Sequence, residues 1–328
     1  MQPFVLQRPT RVDEVVALLA AQPGARLLAG GTDLIPNLRR GLEQPPLLVD
    51  LSRVQGFADV RIDGDGLALG AGVSLARLAH DADIARGWRA LVEAAREVAA
   101  PGHRSVATLG GNLCLDTRCV FYNQSEWWRA ANSYCLKRGG DTCHVAPQGR
   151  RCHAAFSGDL APALLALGAQ AEAISTRGRR RFALAELYRD DGSAHLALAR
   201  DELLLRVHVP ATASTSGYRK ARVRGAIDFP LAGVAIALAL RDGAIAALRI
   251  ALTGTNSQPL VLAGSDALLG RPVDDETAAA LGKLVGKQVS PMRTTVTPSN
   301  YRRLAAAAIA QRLLRELADG AKPAPAAS

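Results

Sequence analysis

Ala29-Gly30-Gly31-Thr32-Asp33-Leu34 and Thr108-Leu109-Gly110-Gly111-Asn112-Leu113 are the two stretches on which the fold depends. The first follows a short apolar run, Arg26 to Ala29, and opens a helical stretch. Where paired glycines carry no side chains, consecutive backbone N–H groups can approach a pyrophosphate at the positive end of a helix. Taken singly, each turn is equally a tight strand-to-helix connection. Two of them in one chain predict two lobes gripping one extended dinucleotide. Neither has the Gly-x-Gly-x-x-Gly spacing, so a standard nicotinamide site is not expected.

Outward from the first turn, Val12 to Leu19 has helical amphipathic spacing and Leu47 to Leu51 reads as a strand, so residues 1–55 form a small β-α-β lobe. Residues 56–210 read as a second lobe, with strands near Gly66 to Gly72 and Ala169 to Ser175. Its helices fall near Leu75 to His80, Trp88 to Ala99 and Leu160 to Leu167. The polar stretch Ala211 to Gly217 reads as a linker into a third, α+β domain spanning 215–320. There Leu231 to Leu240 has the length of a helix, but Arg241-Asp242-Gly243 and the apolar Ile245 to Leu252 signal a hairpin. Helices are predicted at Leu260 to Leu269, Asp275 to Val285 and Asn300 to Ala318, and residues 321–328 are expected to be disordered.

At 328 residues and 48% hydrophobic content, the chain has material for two or three cores. Met1-Gln2-Pro3-Phe4-Val5 lacks a secretory start, and the longest apolar run, near Leu231 to Leu240, is too short to span a bilayer. A cytoplasmic protein away from membranes is expected. Five cysteines without an even, dispersed framework argue against structural disulfides. The net charge of +10 is scattered, without an aromatic stripe or zinc-finger spacing, so nucleic acid is not an expected partner. The densest basic run, Arg177 to Arg181, reads as a solvated turn between strands. A basic surface would also speed encounter with an acidic redox protein.

Cys119, Cys135, Cys143 and Cys152 lie in an insertion, residues 115–153, within the second lobe. Their spacings contain no Cys-x-x-Cys zinc knuckle and no compact ferredoxin run. A loop this long needs its own core or a staple, and thiolates ligate iron and zinc. An iron–sulfur cluster, a zinc site and free thiols therefore stand as alternatives. Six basic residues (118, 129, 137, 138, 150, 151) face three acids (116, 126, 141), an excess of positive charge suited to a four-thiolate iron–sulfur cluster. Trp127 and Trp128 are expected to pack the loop. His144 and His153, each next to a candidate ligand, read as solvated loop histidines or as hydrogen-bond donors to a cluster sulfur. Cys114 belongs to the glycine-turn stretch and reads as a small buried residue. No Ser-His-Asp, paired-carboxylate or lysine-nucleophile constellation stands out, so no catalytic residue is assigned.

The two turns, with Leu47-Leu48-Val49-Asp50-Leu51, Tyr218-Arg219-Lys220, Arg224 and Asp228, resemble the FAD-binding subunits of the molybdenum hydroxylases, the xanthine dehydrogenase and carbon monoxide dehydrogenase family. The resemblance runs nearly end to end. It implies an α+β fold, with a two-lobed FAD-binding domain of the PCMH type followed by an α+β C-terminal domain like that of the carbon monoxide dehydrogenase flavoprotein. It implies an FAD diphosphate held at Ala29, Gly30, Gly31, Thr32, Asp33 and Leu34 and at Thr108, Gly110, Gly111 and Asn112. Side-chain hydrogen bonds would come from Thr32, Asp33, Thr108 and Asn112. Asp159 would contact the adenosine half and Lys220 would lie near the flavin; on the residues alone, Asp159 is equally a helix cap and Lys220 a surface charge.

The insertion, through Thr117-Arg118-Cys119, Tyr122-Asn123-Gln124, Cys135-Leu136-Lys137, Cys143-His144-Val145 and Cys152, resembles the loop that carries a 4Fe-4S cluster on the flavin subunit of one branch, 4-hydroxybenzoyl-CoA reductase. Related aldehyde-oxidising complexes also carry cluster-bearing flavin subunits. The resemblance then implies Cys119, Cys135, Cys143 and Cys152 as cluster ligands. It implies companion subunits, one with 2Fe-2S clusters and one with the molybdenum cofactor, assembled as a dimer of heterotrimers. Electrons from reduced ferredoxin would drive dehydroxylation of 4-hydroxybenzoyl-CoA to benzoyl-CoA on the molybdenum subunit. An FAD subunit of a xanthine or aldehyde dehydrogenase complex is the nearest alternative. A self-contained flavin oxidoreductase with the loop as a lid, and a zinc-stapled binding module, are the other classes considered.

Overall fold

A computed structural model describes residues 2–320, so the tail expected to be disordered, residues 321–328, lies outside the described residues. The first lobe runs β1 (Val5–Gln7), α1 (Val12–Ala21), β2 (Arg26–Leu28), α2 (Leu34–Arg39) and β3 (Leu47–Asp50). Its strands form a parallel sheet in the order β1-β3-β2. Strand β1 is absent from the sequence reading because it is three residues long and exposed, with no alternation to betray it. Helix α1 turns Val15, Val16 and Leu19 inward, as its spacing predicts.

The second lobe contains β4 (Val60–Asp63), β5 (Gly66–Gly70), α3 (Leu75–His80), α4 (Ala82–Gly87), α5 (Arg89–Glu97), α6 (Pro101–Arg104), α7 (Leu109–Leu113), α8 (Glu126–Ala131), α9 (Leu160–Ala166), β6 (Gln170–Ser175), β7 (Gly178–Ala183) and β8 (Leu203–Pro210). Its strands pair antiparallel in the order β4-β5-β8-β6-β7. The basic run is not a turn alone. Only Arg177 occupies the turn, while Arg179, Arg180 and Arg181 lie on edge strand β7. Arg177, Arg179 and Arg180 pair with Asp201, Glu172 and Glu202, and charge along an edge discourages strand addition by another chain.

The remainder is β9 (Thr215–Ala221), β10 (Ala232–Arg241), β11 (Ala244–Thr253), β12 (Leu260–Val261), α10 (Asp275–Gln288) and α11 (Ser299–Gly320). The sheet is antiparallel in the order β12-β11-β10-β9. The expected hairpin forms between β10 and β11, where Asp242 and Gly243 both adopt positive φ, 54° and 78°, as a tight hairpin turn requires. Strand β10 is buried on both faces, which explains its continuous apolar sequence. Val234, Ile236 and Leu238 pack with Leu281 and Leu313 of α10 and α11; Ala235 and Ala237 join the core beneath α5 and α9. That second core extends from Val15 through Leu69, Leu91 and Leu164 to Tyr218, so the N-terminal lobes and the near face of the last sheet share one interior.

The helix predicted over Leu260 to Leu269 is not there. Leu260 and Val261 pair with β11, and Gly264, at φ 75°, separates them from a short 3-10 turn at Ser265–Leu268. Among the described residues no helix is long and apolar enough to cross a membrane.

Candidate functional site

The two glycine turns meet. A Cβ on Gly30 would stand 2.0 Å from the carbonyl oxygen of Val106 and 2.8 Å from Cα of Ala107, so the approach to the second turn is pressed against the first and only glycine fits. Gly31 follows at φ 70°, a conformation glycine adopts without strain. Among the described residues, the N–H groups of Gly31, Thr32 and Asp33 donate to no protein acceptor, and Thr32 is exposed. This is a donor set open to an anion.

The second turn is built differently. Leu109 N–H donates to Val73 O, Gly110 N–H to Ala71 O, and Gly111 N–H to Thr108 Oγ1 at 3.1 Å. Thr108 thus caps α7, and Asn112 Oδ1 accepts from Leu160 N–H at 3.0 Å, capping α9. Both residues were expected to bind the diphosphate through their side chains; the structure uses those oxygens to position helices. Gly110 lies where a Cβ would come within 2.8 Å of Ala71 Cβ. Gly111 is exposed and would meet only Thr108 Oγ1, leaving a flat, open face.

Asp159 stands at the start of α9 but does not cap it. Its Oδ1 accepts from Tyr218 Oη at 2.7 Å and from Lys220 Nζ at 3.0 Å, with 4% and 0% of the Asp159 and Lys220 side chains exposed. Lys220 Nζ also donates to the carbonyls of Glu97 at 2.7 Å and Asp228 at 3.2 Å. Burial pushes the Asp159 carboxyl above its ordinary range, opposed by the Lys220 charge and the Tyr218 hydroxyl. The two side chains expected at the adenosine half and near the flavin thus pair with one another. The pair fastens β9 to α5 and α9.

The four cysteines of the insertion line a single small pocket together with Phe121, Tyr122, Leu136, Lys137 and His144. Each is 5–8% exposed. They sit at tight turns: Tyr122 and Asn123 N–H donate to Cys119 O, Arg138 and Gly140 N–H to Cys135 O, and Ala146 N–H to Cys143 O. Ala154 N–H points at Cys152 Sγ at 3.4 Å. Burial pushes the Cys152 thiol up to about 12 and raises Cys119, while backbone N–H groups of Phe121 and Tyr122 counter it at Cys119. Among the described residues, no group of three or more His, Cys, Asp or Glu side chains is arranged to hold a metal ion.

His144 is not a solvated loop residue; it lines the pocket, stacks near Phe121 and hydrogen-bonds Tyr134 O at 2.6 Å. Trp128 packs against Phe121, but Trp127 is 77% exposed and packs nothing, because α8 turns its other faces inward. Cys114 is half-buried beside the main core, its thiol pushed up to about 12 by burial.

Both sites attach to α2. The first glycine turn leads into it, and Leu42, just beyond it, packs with Cys119, Tyr122, Cys152 and Ala154. Arg138 reaches Gly41 O at 3.2 Å. Arg118, beside Cys119, pairs with Asp33 in the first turn and stacks over Phe229 of the C-terminal domain at 4.8 Å. Its Nε is buried without a partner, and burial lowers its guanidinium to about 10. A six-residue helix rises only about 9 Å, so the anion-ready turn and the thiol pocket stand close together. The sequence reading gave no site role to Arg118, Lys137 or Asp116. Their signals were the charge count of the insertion and, for Arg118 and Lys137, the motifs flanking Cys119 and Cys135.

Residues 2–212 match the family of the FAD binding domain in molybdopterin dehydrogenase, and residues 216–317 the CO dehydrogenase flavoprotein C-terminal domain. The aldehyde oxidoreductase FAD-binding subunit PaoB of Escherichia coli (strain K12) is 31% identical over 282 residues, 83% of this chain and 87% of that protein. The carbon monoxide dehydrogenase medium chain of Afipia carboxidovorans is 27% identical over 308 residues, covering 91% of each. Among solved structures, a Cu,Mo-CO dehydrogenase in its cyanide-inactivated form superposes with a TM-score of 0.80 at 24% identity, covering 98% of this chain and 100% of that one, a likeness of fold. With the open donors of the first turn in place against the second, these matches make the chain an FAD-binding oxidoreductase subunit that belongs to the molybdenum hydroxylase family.

Proposed function

We propose that this chain is the electron-transfer subunit of a molybdenum-containing complex, binding FAD at the glycine turns and a 4Fe-4S cluster at Cys119, Cys135, Cys143 and Cys152. The observation that carries this reading is the convergence of all four insertion cysteines on one buried pocket. A mononuclear ion needs its ligands gathered around a point, whereas a cubane is held by thiolates spread over its corners. The four cysteines share the lining of one pocket, as the corners of a cubane require. When bound, FAD exchanges single electrons with iron–sulfur centres and stores two. The chain's own contribution is to seat and insulate. Gly31, Thr32 and Asp33 offer backbone N–H groups to the diphosphate, Gly111 leaves room beside it, and Phe121, Tyr122 and Leu136 exclude water from the thiols.

The proposed partners are a molybdenum-cofactor subunit and a 2Fe-2S subunit in a dimer of heterotrimers, in the cytoplasm. The proposed activity is 4-hydroxybenzoyl-CoA reduction with reduced ferredoxin as donor, on the resemblance of the insertion. The 31% identity to an aldehyde oxidoreductase subunit favours a second reading, oxidation of an aldehyde by a like complex.

Anaerobic purification with iron, sulfide and flavin analysis tests the core of the proposal. About four irons and one FAD per chain support it; colourless protein with one zinc overturns it. Turnover of 4-hydroxybenzoyl-CoA or of an aromatic aldehyde by the whole complex then separates the two substrates.

A further inference from the structure

Of the residues lining the thiol pocket, Lys137 alone carries a fixed charge. Its side chain is 7% exposed, and Nζ donates to Asp116 Oδ1 at 2.6 Å and Gly192 O at 2.8 Å and lies 4.9 Å from the Tyr122 ring centroid. Thr117, fully buried, supplies a third acceptor. Burying an ammonium is costly unless it is paired, and this one is held by three acceptors at the wall of the pocket. Its partner Asp116 is 28% exposed. Water screens the aspartate more than the lysine, so the pair is not electrically balanced as felt from the pocket.

Resting on the cluster reading above, we infer that Lys137 and Asp116 are positioning residues that tune the reduction potential of the cysteine-bound cluster in opposite directions, the lysine raising it and the aspartate lowering it. Reduction adds one negative charge to a cluster, and a nearby fixed positive charge stabilises that state, while a negative charge opposes it. The electron comes from the external donor. Holding Lys137 in place through Thr117 and Gly192 fixes its distance from the sulfurs, whereas the exposed carboxylate trims the effect.

The test uses the anaerobically purified complex with Lys137→Gln, Asp116→Asn and the double variant. Iron and sulfide are counted, and the cluster midpoint is read by potentiometric titration with electron paramagnetic resonance. Lys137→Gln is expected to shift the midpoint negative, Asp116→Asn to shift it positive, and the double variant to fall between them. A purely structural role would lose iron in both single variants or move both midpoints the same way; either result overturns the inference. If Lys137→Gln sheds iron, Lys137→Arg must restore both iron and midpoint, and failure to do so overturns it too. Unmoved midpoints at full iron overturn this inference alone. A wild-type complex without iron and sulfide in this subunit removes the cluster reading and the inference with it.

Discussion

Replacing Lys220 by methionine removes an ammonium that has no exposed surface and leaves Asp159 buried with only the Tyr218 hydroxyl beside it. The carbonyls of Glu97 and Asp228 lose the same donor. Breaking a buried pair from one side costs about 3–5 kcal/mol, mostly the penalty of an uncompensated charge. With an unfolding entropy of about 2.1 cal/mol/K per residue, a chain of this length loses about 1.5 °C for each kcal/mol, so Tm should fall by about 4–7 °C. Calorimetry on the FAD-loaded protein measures this. Asp159→Asn in the Lys220→Met background removes the stranded charge and should recover part of the loss, a coupling that a double-mutant cycle reads directly. If Lys220→Met is as stable as wild type, or if the two substitutions simply add, the pair is not the fastener described here. FAD content should fall with Tm, because the same contacts hold β9 against the lobes that carry the glycine turns.

Three further outcomes are expected. Gly30→Ala would drive a methyl group into the Val106 carbonyl and so should separate the turns; flavin absorbance in the purified protein should be largely lost, and retention of FAD would contradict the close approach. Cys135→Ser should lose most of the cluster iron yet keep FAD, while Cys114→Ser should lose neither; iron and flavin analysis decides. His195 is buried with Nε2 2.9 Å from Leu115 O, and burial, with Lys137 adding to it, lowers its pKa to about 4. Because the folded value lies below the unfolded value of about 6.5, the neutral ring's contribution is complete above pH 6.5 and is lost as pH falls toward 4, about 3 kcal/mol in all. Urea unfolding across that window should be flatter for His195→Gln, and an unchanged slope would refute the assignment.

What was legible in the sequence is what local chemistry dictates. Paired glycines after an apolar run, the Asp242-Gly243 hairpin turn and the helical spacing of Val12 to Leu19 each specify their conformation within a few residues. Strands β1, β4, β7, β8 and β9 were not read: the first three are largely exposed, β8 is recognised only through its neighbours β5 and β6, and the polar start of β9, Thr215 to Gly217, reads as a linker. The helix read into Leu260 to Leu269 failed for the same reason: pairing of Leu260 and Val261 with β11 overrides a helical pattern. At the site, the glycines and cysteines were visible as residue types, but their partners were not. Nothing near Lys220 in sequence announces Asp159, and nothing near Lys137 announces Gly192.

The two glycine turns are equally alike in sequence and unlike in structure, and the difference lies in what stands behind each. Behind the second, Asn112 caps α9, whose first residue is preceded by Asp159, which in turn holds Lys220 on β9. A shift of that turn would have to move α9 and the C-terminal sheet with it, so its role is to set the shape of the groove. Behind the first, α2 runs directly to Leu42 and the thiol pocket, while Arg118 reaches back from the insertion to Asp33. In that turn the Gly31 and Asp33 carbonyls accept from α2 and the Asp33 carboxylate takes Arg118 and Asn37, while the N–H donors of Gly31, Thr32 and Asp33 stay free. An anion drawn to those donors would sit on an element already fastened to the cysteine loop. The short reach between the first glycine turn and the thiol pocket is therefore a property of the polypeptide itself.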